Sequence, residues 1–185
     1  MALGGSYSDA GHRPLSCASR RTVPATAAAS STSEVEPASL PKDFVAVKGV
    51  DWALAVPASW KERPKQGIQV YRASGEIEGL PAGVFLTRGT YPGTTMEFGR
   101  YLVHEMMHGN PTIFVSQPVL VGSTQMYLAE FKIRCETCTE PVHVWMMSVV
   151  VRGEGYTLQC FVDEMNVKAL REGCESIAFS LAVRL

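Results

Sequence analysis

The chain of 185 residues is long enough for one domain of ordinary size with a full hydrophobic core. Hydrophobic residues make up 46% and charged residues 19% of the sequence, and the formal net charge is −1, so nothing indicates a nucleic-acid-binding surface or a basic membrane-binding stripe. The sequence has no apolar run near the roughly 18 residues that span a bilayer, and five cysteines are too few for a disulfide scaffold.

The first 41 residues differ in composition from the rest of the chain. They are rich in Ser, Ala, Thr and Pro and contain three arginines, whereas Asp9 is the only acid before Glu34. Scarcity of acids is typical of organelle transit peptides, and the alternative is an ordinary disordered tail. The composition predicts a transit peptide and linker over residues 1–41 and a folded domain over residues 42–185.

Apolar and polar residues alternate at the spacing of β-strands from Asp43 onward. The segment "DFVAVKGVDWALAVPASW" predicts two short strands, and Pro57 ends the second. The segments "GIQVYRA" and "AGVFLTR" predict two more strands, separated by the turn-rich "SGEIEGLP". The next segment, "GTTMEFGRYLVHEMMHGNP", predicts a helix in which Thr94 and Glu97 form a capping box and Pro111 ends the run.

Four further strands and a second helix follow. The strand segments are "IFVSQPVLVGS", "TQMYLAEFKIR", "VHVWMMSVVVR" and "YTLQCFVD", with Gly153-Glu154-Gly155 as the turn between the last two. The second helix is predicted from about Glu164 to Leu181, with Asp163 as its N-cap. Seven or eight strands with hairpin-like spacing and two helices predict an α+β fold with a mostly antiparallel sheet.

Residues 104–108, "HEMMH", match the H-E-x-x-H signature of zinc proteases. On a helix, His104 and His108 project from the same side one turn apart, and Glu105 is the residue that activates water in such enzymes. A catalytic zinc needs a third protein ligand, for which His143 or an acid is the remaining source. Glu130 is at a suitable distance along the chain, but its strand pattern predicts that it points away from the helix.

The pattern of the helix itself favours a different interpretation. Its buried face is predicted to consist of Gly99, Leu102, Val103 and Met106. His104 and His108 then fall on the solvated side. The favoured interpretation is a solvent-exposed histidine pair. A weak non-catalytic site for zinc or another divalent metal and a zinc protease with Glu105 as base are the alternatives.

The remaining motifs point to structure rather than to chemistry. The C-x-x-C of Cys135 and Cys138 lies between two strands and predicts a structural turn, with a local disulfide or a metal site as alternatives. Cys160 and Cys174 occupy apolar positions and are predicted to be small buried hydrophobes. The sequence contains neither a phosphate-binding glycine loop nor a G-x-S-x-G nucleophile motif, so no cofactor is predicted.

Sequence segments near the start and near the end of the folded part resemble those of a known protein family. An early segment ends in "VPASW", and near the C-terminus "YTLQCFV" leads into a helix that ends in "ESIAFSLAV". The residues concerned are Pro57, Trp60, Ser176, Phe179 and Ser180. From about Phe44 to Val183 the sequence resembles the PsbP-like family, whose members are related to an extrinsic subunit of photosystem II.

The resemblance implies an α/β/α arrangement around an antiparallel sheet and a non-enzymatic role. It implies an accessory or assembly protein of a photosynthetic membrane complex, peripheral rather than integral, in the chloroplast and in the thylakoid lumen rather than the stroma. No nucleic-acid partner is expected. The first alternative is a zinc-dependent hydrolase that uses the "HEMMH" helix. The second is a small-molecule carrier with its pocket between sheet and helices.

Overall fold

The structure, a computed structural model, describes residues 34–106, 111–134 and 141–185, which belong to one compact unit, Glu34–Leu185. Residues 1–33 of the predicted transit peptide and linker, together with His108, Cys135 and Cys138, lie outside the described residues. In chain order the elements are β1 (Phe44–Lys48), β2 (Trp52–Pro57), β3 (Lys61–Glu62), β4 (Gln69–Ile77), β5 (Leu80–Thr90), α1 (Thr95–Met106), β6 (Thr112–Val121), β7 (Thr124–Ile133), β8 (Val142–Val151), β9 (Glu154–Asp163), α2 (Val167–Phe179) and β10 (Ala182–Val183).

The strands form two antiparallel sheets. The larger sheet has seven strands in the order β3-β4-β5-β9-β8-β7-β6, and the smaller has three in the order β1-β2-β10. Each neighbouring pair in the larger sheet is antiparallel. The predicted α+β class is therefore confirmed.

Two hairpin turns are tighter than the sequence predicts. The segment "SGEIEGLP" is mostly strand, because β4 continues to Ile77 and β5 resumes at Leu80. The two residues between these strands, Glu78 and Gly79, have positive φ angles of 54° and 78°. Such angles give a two-residue hairpin turn that matches the right-handed twist of the flanking strands. Arg152 and Gly153 turn the chain between β8 and β9 in the same way, with φ of 53° and 79°.

The larger sheet is covered on both faces. On one face, Leu102 and Val103 of α1 pack against a cluster of buried side chains from β7 and β8. That cluster consists of Ala129, Phe131, Val144 and Met146. On the other face, α2 and β2 share the main core with the sheet through residues such as Ile177 and Leu54. The implied α/β/α arrangement is present, and the three-stranded sheet adds to the layer that contains α2.

The N-terminal cap of α1 is the predicted one, whereas the N-terminal cap of α2 is not. The capping box is confirmed, since Thr94 N–H donates to Glu97 at 2.7 Å and Glu97 N–H donates to the Thr94 hydroxyl at 3.2 Å. Asp163 instead precedes a 3-10 turn, Glu164–Asn166, and its side chain makes no capping hydrogen bond. The prediction of Asp163 as the α2 N-cap is therefore wrong; Asn166 occupies that position.

Ser180 joins the end of α2 to the smaller sheet. Its buried hydroxyl donates to the Ile177 carbonyl at 2.7 Å and accepts from Ala55 N–H of β2 at 2.8 Å. A hydroxyl that bonds in both directions satisfies two buried backbone groups at once, which avoids the cost of leaving either unpaired. Ser180 thus fixes where α2 ends relative to β2.

Candidate functional site

The "HEMMH" stretch begins on the outer surface of α1. His104 and Glu105 are exposed, whereas Leu102 and Val103 on the other side of the helix are partly buried against the sheet. Phe98, in the first turn of α1, is only 9% exposed. The sequence did not predict it as part of the buried face of the helix. The predicted solvent-exposed position of His104 is confirmed, and metal binding by His104 and His108 stays one of the alternatives.

The zinc-hydrolase alternative named His143 or an acid as the third metal ligand, and His143 does not fit this role, because it lies on the opposite face of the sheet from α1. In β8 its neighbour Val144 packs towards α1, so His143 points the other way. Glu130 of β7 shares that face, as its pattern predicts, and its carboxylate lies 2.9 Å from His143 Nε2. Among the residues that the structure describes, no group of three or more His, Cys, Asp or Glu side chains is placed to hold a metal ion.

Glu130 and His143 form the centre of a buried ionic cluster between the sheet and α2. The Glu130 carboxylate accepts two hydrogen bonds from the Arg171 guanidinium of α2, one of them at 3.1 Å. Arg171 also donates to Glu175 at 3.0 Å, one turn further along the helix. On the other side of His143, its Nδ1 lies 3.5 Å from a Glu164 carboxylate oxygen.

Aromatic side chains enclose this cluster. The Phe114 ring stacks on His143 with 5.2 Å between ring centroids and 9° between planes. The Arg171 guanidinium lies over Trp145, 5.6 Å from the ring centroid. Apolar walls lower the local dielectric, which strengthens the ion pairs and would make an unpaired charge costly.

The pKa of Glu130 reflects these opposing effects. Burial raises the pKa of its carboxyl, but the hydrogen bonds and charges of Arg171 and His143 together outweigh burial, so the pKa lies below its ordinary value. An ionised carboxylate that already bonds to an arginine and a histidine holds α2 against the sheet. The arrangement is suited to a structural junction between helix and sheet.

A disulfide provides a second link between α2 and the sheet. Cys160 of β9 and Cys174 of α2 are bonded to each other, and both residues are fully buried. The prediction that they are buried is correct, but the prediction that they act as separate small hydrophobes is wrong. Their spacing of 14 residues across a strand and a helix gave no local signal, because only the packing of α2 on β9 brings the two sulfurs together.

An open groove lies on the α1 side of the larger sheet, next to the exposed Glu105. Its volume is about 580 Å³. Its floor consists of the short residues Thr87, Gly89, Gly155 and Thr157, which pair across β5 and β9. Paired residues in antiparallel strands face the same side, so the floor is flat and free of large side chains.

Aromatic side chains form the wall of this groove. Tyr91, at the entry to α1, and Phe98 and Tyr101 of the helix line the groove together with Glu105. Tyr91 is held in place because its N–H donates to the Gly153 carbonyl at 2.8 Å. No local sequence pattern indicates this groove, because it exists only where α1 packs mainly on β7 and β8 and leaves part of β5 and β9 uncovered.

A second cleft of about 430 Å³ lies between the loop after β1 and strands β4 and β5. Its charges are largely neutralised within the protein. Arg88 pairs with Asp51 at 2.9 Å, and the Tyr156 hydroxyl donates to the same carboxylate at 2.7 Å. Burial, and then this bond to Asp51, raise the pKa of Tyr156 to about 12. Lys65 at the rim pairs with Glu62, so the cleft has little net charge to attract an ion.

Comparison with solved structures identifies the fold. The structure superimposes on cyanobacterial PsbP (CyanoP) from Synechocystis sp. PCC 6803 with a TM-score of 0.59 and 12% identity over 76% of this chain and 92% of that one. LpqN, involved in cell envelope biogenesis of Mycobacterium tuberculosis, matches with a TM-score of 0.52 and 12% identity over 80% of this chain and 89% of that one. A point mutant of protein Mog1 matches with a TM-score of 0.51 and 11% identity over 76% of this chain and 94% of that one.

The chain has a PsbP/Mog1-like fold. The resemblance of the sequence to the PsbP-like family therefore holds at the level of the fold. No protein-family model matches the sequence, and no curated protein is significantly similar to it. Within the described part of this PsbP/Mog1-like chain, neither helix has the length and apolar character needed to cross a bilayer.

Proposed function

We propose that the protein is a non-enzymatic accessory or assembly factor of a photosynthetic membrane complex. The observation that carries the proposal is the likeness to cyanobacterial PsbP, which covers 92% of that protein. The sequence resemblance at Pro57, Trp60 and the end of α2 supports it independently. The transit-peptide composition of residues 1–41 fits a role in the chloroplast.

The thylakoid lumen is the compartment that we propose. The bond between Cys160 and Cys174 is buried and links two elements of the core. Disulfides persist in oxidising compartments and are rare where thiol reductants dominate. A structural disulfide therefore supports an oxidising space on the aqueous side of the membrane over a reducing one.

The test is a binding assay with photosystem II-enriched thylakoid membranes from which a salt wash has removed the extrinsic subunits. We expect the protein to sediment with these membranes in a saturable manner. The added native extrinsic subunit should compete with it if both proteins use the same docking site. Liposomes of thylakoid lipids serve as the control for binding to the lipid alone.

Two results would contradict the proposal. One is sedimentation no greater than that of an unrelated protein of similar size and charge. The other is equal binding to the liposomes, which would show that the complex contributes nothing. A hydrolase would instead be revealed by zinc-dependent activity that Glu105→Gln abolishes.

A further inference from the structure

Three aromatic rings and one carboxylate meet at the α1 wall of the groove. Tyr91 lies 4.7 Å from Phe98 and 6.0 Å from Tyr101, measured between ring centroids. Glu105 follows Tyr101 by four residues, so the two side chains are neighbours on the surface of α1. All four side chains line the same groove.

The carboxylate of Glu105 is available to a ligand. Its side chain is exposed, and among the described residues it has no ion-pair partner. Arg88, the cation that also lines the groove, is instead engaged by Asp51 at 2.9 Å and by Glu154 at 3.4 Å. The uncompensated charge at this wall is therefore negative.

The aromatic rings and the carboxylate of this wall favour a ligand that is positively charged and weakly hydrated. The faces of aromatic rings carry partial negative charge and attract cations, and a nearby carboxylate adds to that attraction. The wall is mostly rings, so it replaces the hydration of a primary ammonium poorly. A methylated ammonium group, which is weakly hydrated and donates no hydrogen bonds, loses less on entering such a site.

The floor of the groove leaves room for such a group. Gly89 and Gly155 face each other across β5 and β9 and place no side chain in the groove. The Phe98 ring packs on Gly155, where a Cβ would lie 2.7 Å from it, whereas a Cβ at Gly89 would meet no atom within 4 Å, so the open part of the floor is at Gly89. The volume of about 580 Å³ is within the range of small-molecule sites.

We propose that this groove binds a trimethylammonium group, with the rings of Tyr91 and Tyr101 and the carboxylate of Glu105 as its main contacts. The group can belong to a free small molecule or to a trimethylated lysine of a protein. This site is independent of the function proposed above.

The test is a titration of the full-length protein, followed by the backbone amide NMR signals of Gly89 and Gly155. The probes are choline and its uncharged isostere 3,3-dimethylbutan-1-ol. We expect choline to saturate with a dissociation constant on the order of 1 mM, as its few heavy atoms allow. The uncharged isostere should bind at least about fivefold more weakly, because it loses the attraction to the rings and to the carboxylate.

Three variants test the contacts, each with its fold checked by circular dichroism. Glu105→Gln should weaken choline binding about threefold to tenfold, whereas Glu172→Gln, an exposed acid on α2, should leave it unchanged. Tyr101→Leu keeps an apolar side chain but removes the ring, and should weaken binding about twofold to tenfold. Gly89→Val should abolish binding without harming the fold, because a Cβ at Gly89 meets no atom within 4 Å.

A further pair of probes distinguishes the sources of the group. Tighter binding of Nα-acetyl-Nε-trimethyllysine amide than of choline would assign the site to a methylated protein, and the reverse order would assign it to a small molecule. Either order supports the proposal. Equal binding of unmethylated Nα-acetyllysine amide, equal binding of the uncharged isostere, or no saturation by choline below about 50 mM would overturn it.

Discussion

Glu130 links three elements of the fold through one carboxylate. Its strand β7 is buried on both faces, and its side chain bonds to His143 of β8 and to Arg171 of α2. The alternation in "TQMYLAEFKIR" correctly predicts that Glu130 faces away from α1. The sequence does not reveal the cluster, because Arg171 lies 41 residues away and only the packing of α2 brings it there.

Replacing this carboxylate should destabilise the protein. In Glu130→Gln, Arg171 and His143 lose their charged partner in a site walled by aromatic rings. We expect the free energy of unfolding to fall by about 1–3 kcal/mol, less than for a fully buried pair because solvent reaches part of Arg171. Urea denaturation at pH 7 measures the change. Glu172→Gln is the matched control and should stay within about 0.5 kcal/mol of the wild type.

The same carboxylate predicts a dependence of stability on pH. The pKa of Glu130 is lower in the folded protein than in an unfolded chain. Its contribution to stability is therefore complete above the unfolded pKa, about 4.3 for glutamate, and is lost as the pH falls below that value towards the folded pKa. Urea titrations between pH 7 and pH 3 should show the gap between wild type and Glu130→Gln narrowing below about pH 4.3. A constant gap over this range contradicts the assignment.

At the scale of the elements, the contact between α1 and the sheet depends on Gly99. A Cβ at this position would lie 2.2 Å from the Tyr127 ring, so the helix can approach β7 only with glycine there. Gly99→Ala should lower the unfolding free energy by about 1–3 kcal/mol despite the better helix propensity of alanine. Gly89→Ala is the control, since its Cβ has open space. Equal melting temperatures for the two variants would show that α1 adjusts freely.

The contact between α2 and the sheet depends on the disulfide. Cys160 and Cys174 close a loop across a sequence separation of 14 residues, for which chain entropy predicts a stabilisation of about 3 kcal/mol. For protein made under oxidising conditions, we expect reductant to lower the urea midpoint of the wild type. The Cys160→Ala, Cys174→Ala double variant should already have the lower midpoint and should not respond to reductant. A response of the double variant equal to that of the wild type would point to a different disulfide.

The elements themselves could largely be predicted from the sequence. Alternation in β4 to β9 and the capping box of α1 are local signals, and the structure bears them out. The start of α2 was misplaced, because Asp163 looks like a cap although a 3-10 turn separates it from the helix. The tight turns were missed because non-glycine residues, Glu78 and Arg152, occupy positions of positive φ that sequence reasoning normally reserves for glycine.

At the scale of the molecule, the order of strands decides what the candidate sites can do. The α+β class follows from the sequence, but the placement of helices on opposite faces does not, since it depends on long-range pairing of β5 with β9. This placement separates His143 from α1 and leaves the groove beside Glu105 open. The position of His143 and the open groove both follow from the strand order, which local sequence patterns do not predict.

The proposed role in a chloroplast complex is tested most directly by import of the labelled full-length protein into isolated chloroplasts, followed by native gel separation of the thylakoid complexes. We predict removal of an N-terminal segment, protection from protease on the stromal side of the thylakoid membrane, and comigration with a photosystem complex. An uncleaved protein outside the organelle, or an imported protein that stays in the stroma and migrates alone, would contradict a role at a thylakoid complex.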